Sequence, residues 1–142
     1  IDEDGNIWVW GARTLGNGTN GTTGTPIKLN VNTTFKKISA GGTSTNAWNC
    51  TIAIDINGNL WSWGDNSRGQ IGQEKNKKIA IPTKVETESA KGVKFKKISA
   101  GNNHSVALDE DGNIWACGDC GNGKLSNGYT SGYKNTFEMI GI

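Results

Sequence analysis

Three groupings in this 142-residue chain carry residue types that could do chemistry. Cys117-Gly118-Asp119-Cys120 has the spacing of a redox dithiol or of half a zinc site. Zinc needs two further ligands, and the other candidates of the usual type are Cys50 and the single histidine, His104. Asp2-Glu3-Asp4 and Asp109-Glu110-Asp111 cluster oxygen donors that a hard cation could use. An EF-hand loop, however, places its glycine at position 6 and a glutamate at position 12, whereas here glycine directly follows the second aspartate. Gly16-x-Gly18-x-x-Gly21 matches the dinucleotide fingerprint literally, but that fingerprint needs a helix after it. Residues 17–25 are only Asn, Gly and Thr and read as loop. A serine triad needs a histidine base beside a nucleophile and an orienting acid, and one histidine inside a repeated motif gives it no support. The expectation is therefore a protein that is not an enzyme, with no catalytic residue, no cofactor and no metal site.

The elements that must position these residues are repeated. Asp4-Gly5-Asn6-Ile7-Trp8-Val9-Trp10-Gly11 returns as Asn57-Gly58-Asn59-Leu60-Trp61-Ser62-Trp63-Gly64 and as Asp111-Gly112-Asn113-Ile114-Trp115-Ala116-Cys117-Gly118. Phe35-Lys36-Lys37-Ile38-Ser39-Ala40-Gly41 returns unchanged from Phe95 to Gly101. Ile52 and Ile54, like Val106 and Leu108, alternate with smaller or polar residues, the pattern of a strand buried on one face. The Asp-Gly or Asn-Gly pair that follows predicts a type I′ hairpin. Pro26 and Pro82 are expected at the start of a further strand, where no ladder donor is needed. The reading is all-β, with four short antiparallel strands per period of about 54 residues, the sequence form of a β-propeller blade. The expected boundaries are the second half of a blade at 1–34, a full repeat at 35–94 with an inserted loop at 42–49, a repeat at 95–136, and the start of another at 137–142. That makes about 2.6 periods, either an arc of a larger ring or a piece that associates with copies of itself to complete one. No run of 18 apolar residues occurs, so no transmembrane helix is expected.

Ala100-Gly101-Asn102-Asn103-His104-Ser105-Val106-Ala107-Leu108, the Asp-Gly-Asn-Ile-Trp-x-Trp-Gly block, and Gly64-Asp65-Asn66-Ser67-Arg68-Gly69-Gln70-Ile71-Gly72 followed by Pro82 resemble the repeat of the regulator of chromosome condensation family. The resemblance implies a seven-bladed propeller. The third repeat departs from it, with Cys117 in place of tryptophan, and Lys124 and Ser126 in place of Gln70 and Gly72. Members that catalyse nucleotide exchange on a small GTPase use polar residues on one rim, so the resemblance implies a GTPase as one class of protein partner. The founding member associates with chromatin. Lys75, Lys77, Lys78, Lys91, Lys94, Lys96 and Lys97 could contact phosphates, but a net charge of +2 with interspersed acids argues against nucleic acid.

A propeller displays equivalent connections on one face, where function concentrates on a rigid scaffold. The 42–49 insertion therefore falls beside the Asn102-Asn103-His104 connection. Trp48 among Asn, Thr and Ser has the composition of a protein-binding surface. The candidate partner-binding residues are Thr43, Asn46, Trp48, Asn102, Asn103 and His104. The leading expectation is a non-catalytic scaffold that binds a protein partner through this face; the alternatives are guanine-nucleotide exchange and, more weakly, chromatin or nucleic-acid association.

Overall fold

A computed structural model describes residues 1–42, 49–74 and 78–141. Strands β1 (Trp8–Thr14) and β2 (Asn20–Lys28) form a two-stranded sheet. Strands β3 (Phe35–Gly41), β4 (Cys50–Asp55), β5 (Leu60–Asp65) and β6 (Lys78–Lys84) form a four-stranded meander in chain order. Strands β7 (Phe95–Ala100), β8 (His104–Asp109), β9 (Ile114–Asp119) and β10 (Tyr133–Met139) form a second. The two meanders meet along β3, β4 and β7, where Ala100 N donates to Ser39 Oγ at 3.0 Å. Sheets that converge at their first strands and splay toward their fourth are propeller blades set around an axis.

The aspartate before each hairpin organises the turn. Gly58 N donates to Asp55 O at 3.0 Å, as Gly5 N does to Asp2 O. Only the glycine has positive φ (+81° at Gly5, +83° at Gly58), not the residue before it. The hairpins are thus type I turns closed by a left-handed glycine, not the type I′ turns expected from the sequence. The carboxylate of Asp55 accepts from Asn57 N, Asn59 N, Asn59 Nδ2 and Trp61 Nε1 at 2.8–2.9 Å. The same set recurs around Asp2 with Asn6 and Trp8, and around Asp109 with Asn113 and Trp115. These bonds occupy the carboxylate oxygens of Asp2 and Asp109, one acid in each of the two clusters of the cation reading.

Each junction between blades is a shared core. Ile7 and Leu29, which flank the first sheet, pack with Phe35, Ala53 and Trp63 of the second. Ile54, Leu60 and Val85 pack with Phe95, Ala107, Trp115, Cys117 and Phe137. Edge-on aromatic pairs repeat, Phe35–Trp61 with centroids 5.6 Å apart and Phe95–Trp115 at 6.0 Å. Because β4 lies between two neighbours, Ile52, Ala53 and Ile54 are all buried, rather than buried on one face. In β8, whose far side is open, burial alternates with the opposite phase to the one expected: Ser105, Ala107 and Asp109 are buried, while Val106 and Leu108 are half-buried.

Two further expectations are corrected. Pro26 and Pro82 lie inside β2 and β6, opposite ladder irregularities at Trp10 and Trp63, where an edge strand needs no donor. Residues Tyr133–Met139 pair with β9, Met139 opposite Trp115 and Glu138 opposite Ala116. Residue 137 is thus the counterpart of Pro82, and the segment read as the start of another repeat at 137–142 instead completes the third blade. Its Phe-x-x-Ile pattern mimics the first strand of a blade because Phe137, like Phe95, fills a junction.

Candidate partner-binding face

The β3–β4 and β7–β8 connections and the β5–β6 and β9–β10 loops emerge at one end of the blades. Thr43, Asn46 and Trp48 lie outside the described residues. Asn102 is exposed, whereas Asn103 and His104 are half-buried. Asn103 O accepts from Asp119 N at 2.8 Å, and Asn49 O accepts from Asp65 N at the same distance one blade earlier. These asparagines thereby tie the inner connection to the end of the third strand. His104 pairs with Gly118 across the ladder, and its ring lies over Gly101. Among the described residues, Asn49 Oδ1, Asn103 Oδ1 and His104 Nδ1 are buried without a protein hydrogen-bond partner.

Burial lowers the pKa of His104, Lys124 lowers it further, and Asp119 opposes both. The imidazole is therefore neutral at physiological pH. Lys124 Nζ donates to Asp119 Oδ2 at 2.7 Å, and Gly121 N donates to Oδ1 at 2.9 Å. Together they lower the pKa of Asp119, with Arg68 adding to the effect.

Two residues that sequence reasoning passed over extend this face. Both tyrosines of the chain, Tyr129 (58% exposed) and Tyr133 (52% exposed), project from the β9–β10 loop and its junction with β10. Tyr133 sits opposite Asp119. The loop is fixed: Cys120 N donates to Gly132 O at 2.9 Å, Tyr129 N to Asn127 Oδ1 at 3.2 Å, and Lys134 Nζ lies 5.0 Å over the Tyr129 ring. The available signal was Gly-Tyr-Thr-Ser-Gly-Tyr, small residues around aromatics.

The remaining chemical readings resolve into structure. Cys50, Cys117 and Cys120 are free, buried thiols. Burial pushes the Cys50 thiol up to about 11 and holds Cys117 well above its ordinary value, so neither is a thiolate nucleophile at neutral pH. Gly16–Gly21 lies at the β1–β2 turn and is followed by strand, not by the helix a pyrophosphate site requires.

Models of the regulator of chromosome condensation (RCC1) repeat match residues 57–108, and residues 35–70 and 95–124. The chain belongs to the RCC1 repeat family. Among RCC1-repeat proteins, the Xenopus laevis Protein RCC2 homolog is 40% identical over 78 residues, covering 55% of this chain and 15% of that one. Ultraviolet-B receptor UVR8 of Arabidopsis thaliana is 30% identical over 120 residues, 81% of this chain and 26% of that one. The chain thus spans a minor part of the RCC1-repeat relatives it matches. The structure of Prp20p from Saccharomyces cerevisiae superposes with a TM-score of 0.80 at 20% identity, covering 100% of this chain and 35% of that one. That likeness shows the propeller fold.

Proposed function

We propose that the chain is part of a non-catalytic scaffold that captures a protein partner on the face built by Asn102, Asn103, His104, Tyr129 and Tyr133. The observation that carries this reading is the pair of exposed tyrosines on a hydrogen-bonded loop. Rigid aromatic side chains offer contact area at small entropic cost, and they stand here at the same end of the blades as the exposed Asn102. Known relatives lend support: yeast RCC1 (Prp20) has been crystallised with Kap60 bound. The test is site-specific photo-crosslinking with the probe at residue 129 or at Ile56, which is exposed on the opposite, hairpin face. The reading expects protein adducts from residue 129 and few from residue 56. Equal adducts at both positions, or none at 129, refute it.

A second reading is guanine-nucleotide exchange on a small GTPase. It is favoured by the work on Prp20p, whose binding properties to Gsp1p and histones have been described with its structure. Faster release of labelled GDP from a purified small GTPase, lost in His104→Ala, supports exchange; an unchanged rate removes it. Chromatin association is the weakest reading and predicts steep salt dependence of binding.

A further inference from the structure

The open side of the third blade is selective about what can cover it. At both complete junctions a left-handed glycine after an aliphatic residue, half-buried Leu15 or buried Ile71, faces the next blade. Gly16 follows Leu15 and has φ +97°; Gly72 follows Ile71 and has φ +65°. A Cβ on Gly16 would stand 2.6 Å from Trp63 Nε1, and one on Gly72 would run into the Phe137 ring. Each glycine is therefore the socket for an aromatic ring contributed by the following blade.

Ser126 holds the third socket. It follows buried Leu125, and its N–H donates to Gly123 O at 3.0 Å, as Gly72 N does to Gly69 O. Its φ of +49° keeps the left-handed conformation that side chains avoid. Its hydroxyl makes no hydrogen bond among the described residues. A real Cβ therefore points where Trp63 or Phe137 would enter an equivalent junction.

From this we infer that the third blade accepts, as its covering partner, an RCC1-type blade with a small residue at the position of Trp63 and proline at the position of Pro82. It rejects the Trp10-bearing edge of a second copy. The two internal junctions supply the template for the covering face, and Ser126 supplies a repulsive element of the kind that sets specificity. Self-association to close a ring, one of the two arrangements expected from the sequence, is disfavoured at this junction.

The test uses the whole chain extended beyond Ile140 by a copy of residues 86–94 and then of residues 35–84. Four versions combine Ser126 or Ser126→Gly with Trp63 or Trp63→Ala in the appended copy. Amide exchange reads the protection of the appended blade. With Ser126 present, the alanine copy should be protected at least about tenfold more than the tryptophan copy, and Ser126→Gly should reverse that order. An order that ignores residue 126, a tryptophan copy preferred by Ser126, or no protection of any appended blade would overturn the inference. So would a Trp10-dependent head-to-tail ladder in the molar mass of the unextended chain.

Discussion

Blade two places Trp63 beside Pro82, whereas blade three places Cys117 beside Phe137, and each arrangement puts one aromatic ring into the junction with the preceding blade. The residues at these two positions should therefore be strongly coupled. Phe137 is wholly buried, so Phe137→Ala should destabilise the chain by about 3–5 kcal/mol, and Phe137→Pro by a similar amount. Cys117→Trp alone drives an indole into the Phe137 ring and should cost about 1–3 kcal/mol or more. Cys117→Trp with Phe137→Pro rebuilds the arrangement of blade two. There Trp63 Nε1 donates to Leu15 O at 3.3 Å. The counterpart acceptor, Ile71 O, already takes the Ser62 hydroxyl at 2.7 Å but has a second lone pair. The double variant should lie within about 2 kcal/mol of the parent, leaving a coupling energy of at least about 2 kcal/mol. Urea unfolding followed by circular dichroism measures it, with an unchanged m-value confirming that only stability moved. Additivity within about 0.5 kcal/mol would refute the claim that the two pairs of residues are exchangeable fillings of one space.

Trp10 and Trp63 occupy the same repeat position with opposite burial, 62% exposed against none. Trp10→Ala should change stability by less than about 1 kcal/mol and Trp63→Ala by about 3–5 kcal/mol, with acrylamide quenching the first indole far more. Burial opposes ionisation of Asp109, but its Trp115 and Asn113 donors outweigh that and hold it at about 2. The unfolded group titrates near 3.9. Its contribution is thus complete above about pH 4 and is lost as pH falls toward 2. Urea midpoints measured across that window should drop, and Asp109→Asn should flatten the slope. For His104 the depressed pKa means that stability falls as pH drops below about 6.5, because the unfolded chain takes up the proton first. A ring-proton titration by NMR should give a value below 6.5, and His104→Asn should remove that part of the pH dependence.

The blades were legible because their determinants are local. Asp-Gly-Asn-Ile-Trp carries the hairpin, its cap and the start of the next strand within a few residues. The turn type escaped because Asp-Gly satisfies both candidates, and the choice rests on Asp55 O reaching Gly58 N. Phe137 escaped for the opposite reason. Locally it matches the inner-strand motif, and only its contacts with Cys117 and the preceding blade assign it to a fourth strand. In the candidate site, Asn102, Asn103 and His104 could be placed from the repeat. The tyrosines could not be placed from the repeat: Gly-Tyr-Thr-Ser-Gly-Tyr marks a loop, but their exposure depends on how that loop, closed by the bond from Cys120 N to Gly132 O, folds.

The ring-and-glycine contact between Trp63 and Gly16 has a consequence for how such arrays can change length. Ring and socket come from successive copies, so duplicating a copy whose own socket is a glycine supplies a matched set and leaves both flanking seams intact. Shuffling copies does not, because a ring can be set against a socket that has acquired a side chain. Ser126 makes the third copy such a case: it cannot be moved ahead of a tryptophan-bearing neighbour without strain. Lengthening by duplication is thus structurally easy, while the order of the copies becomes fixed one seam at a time.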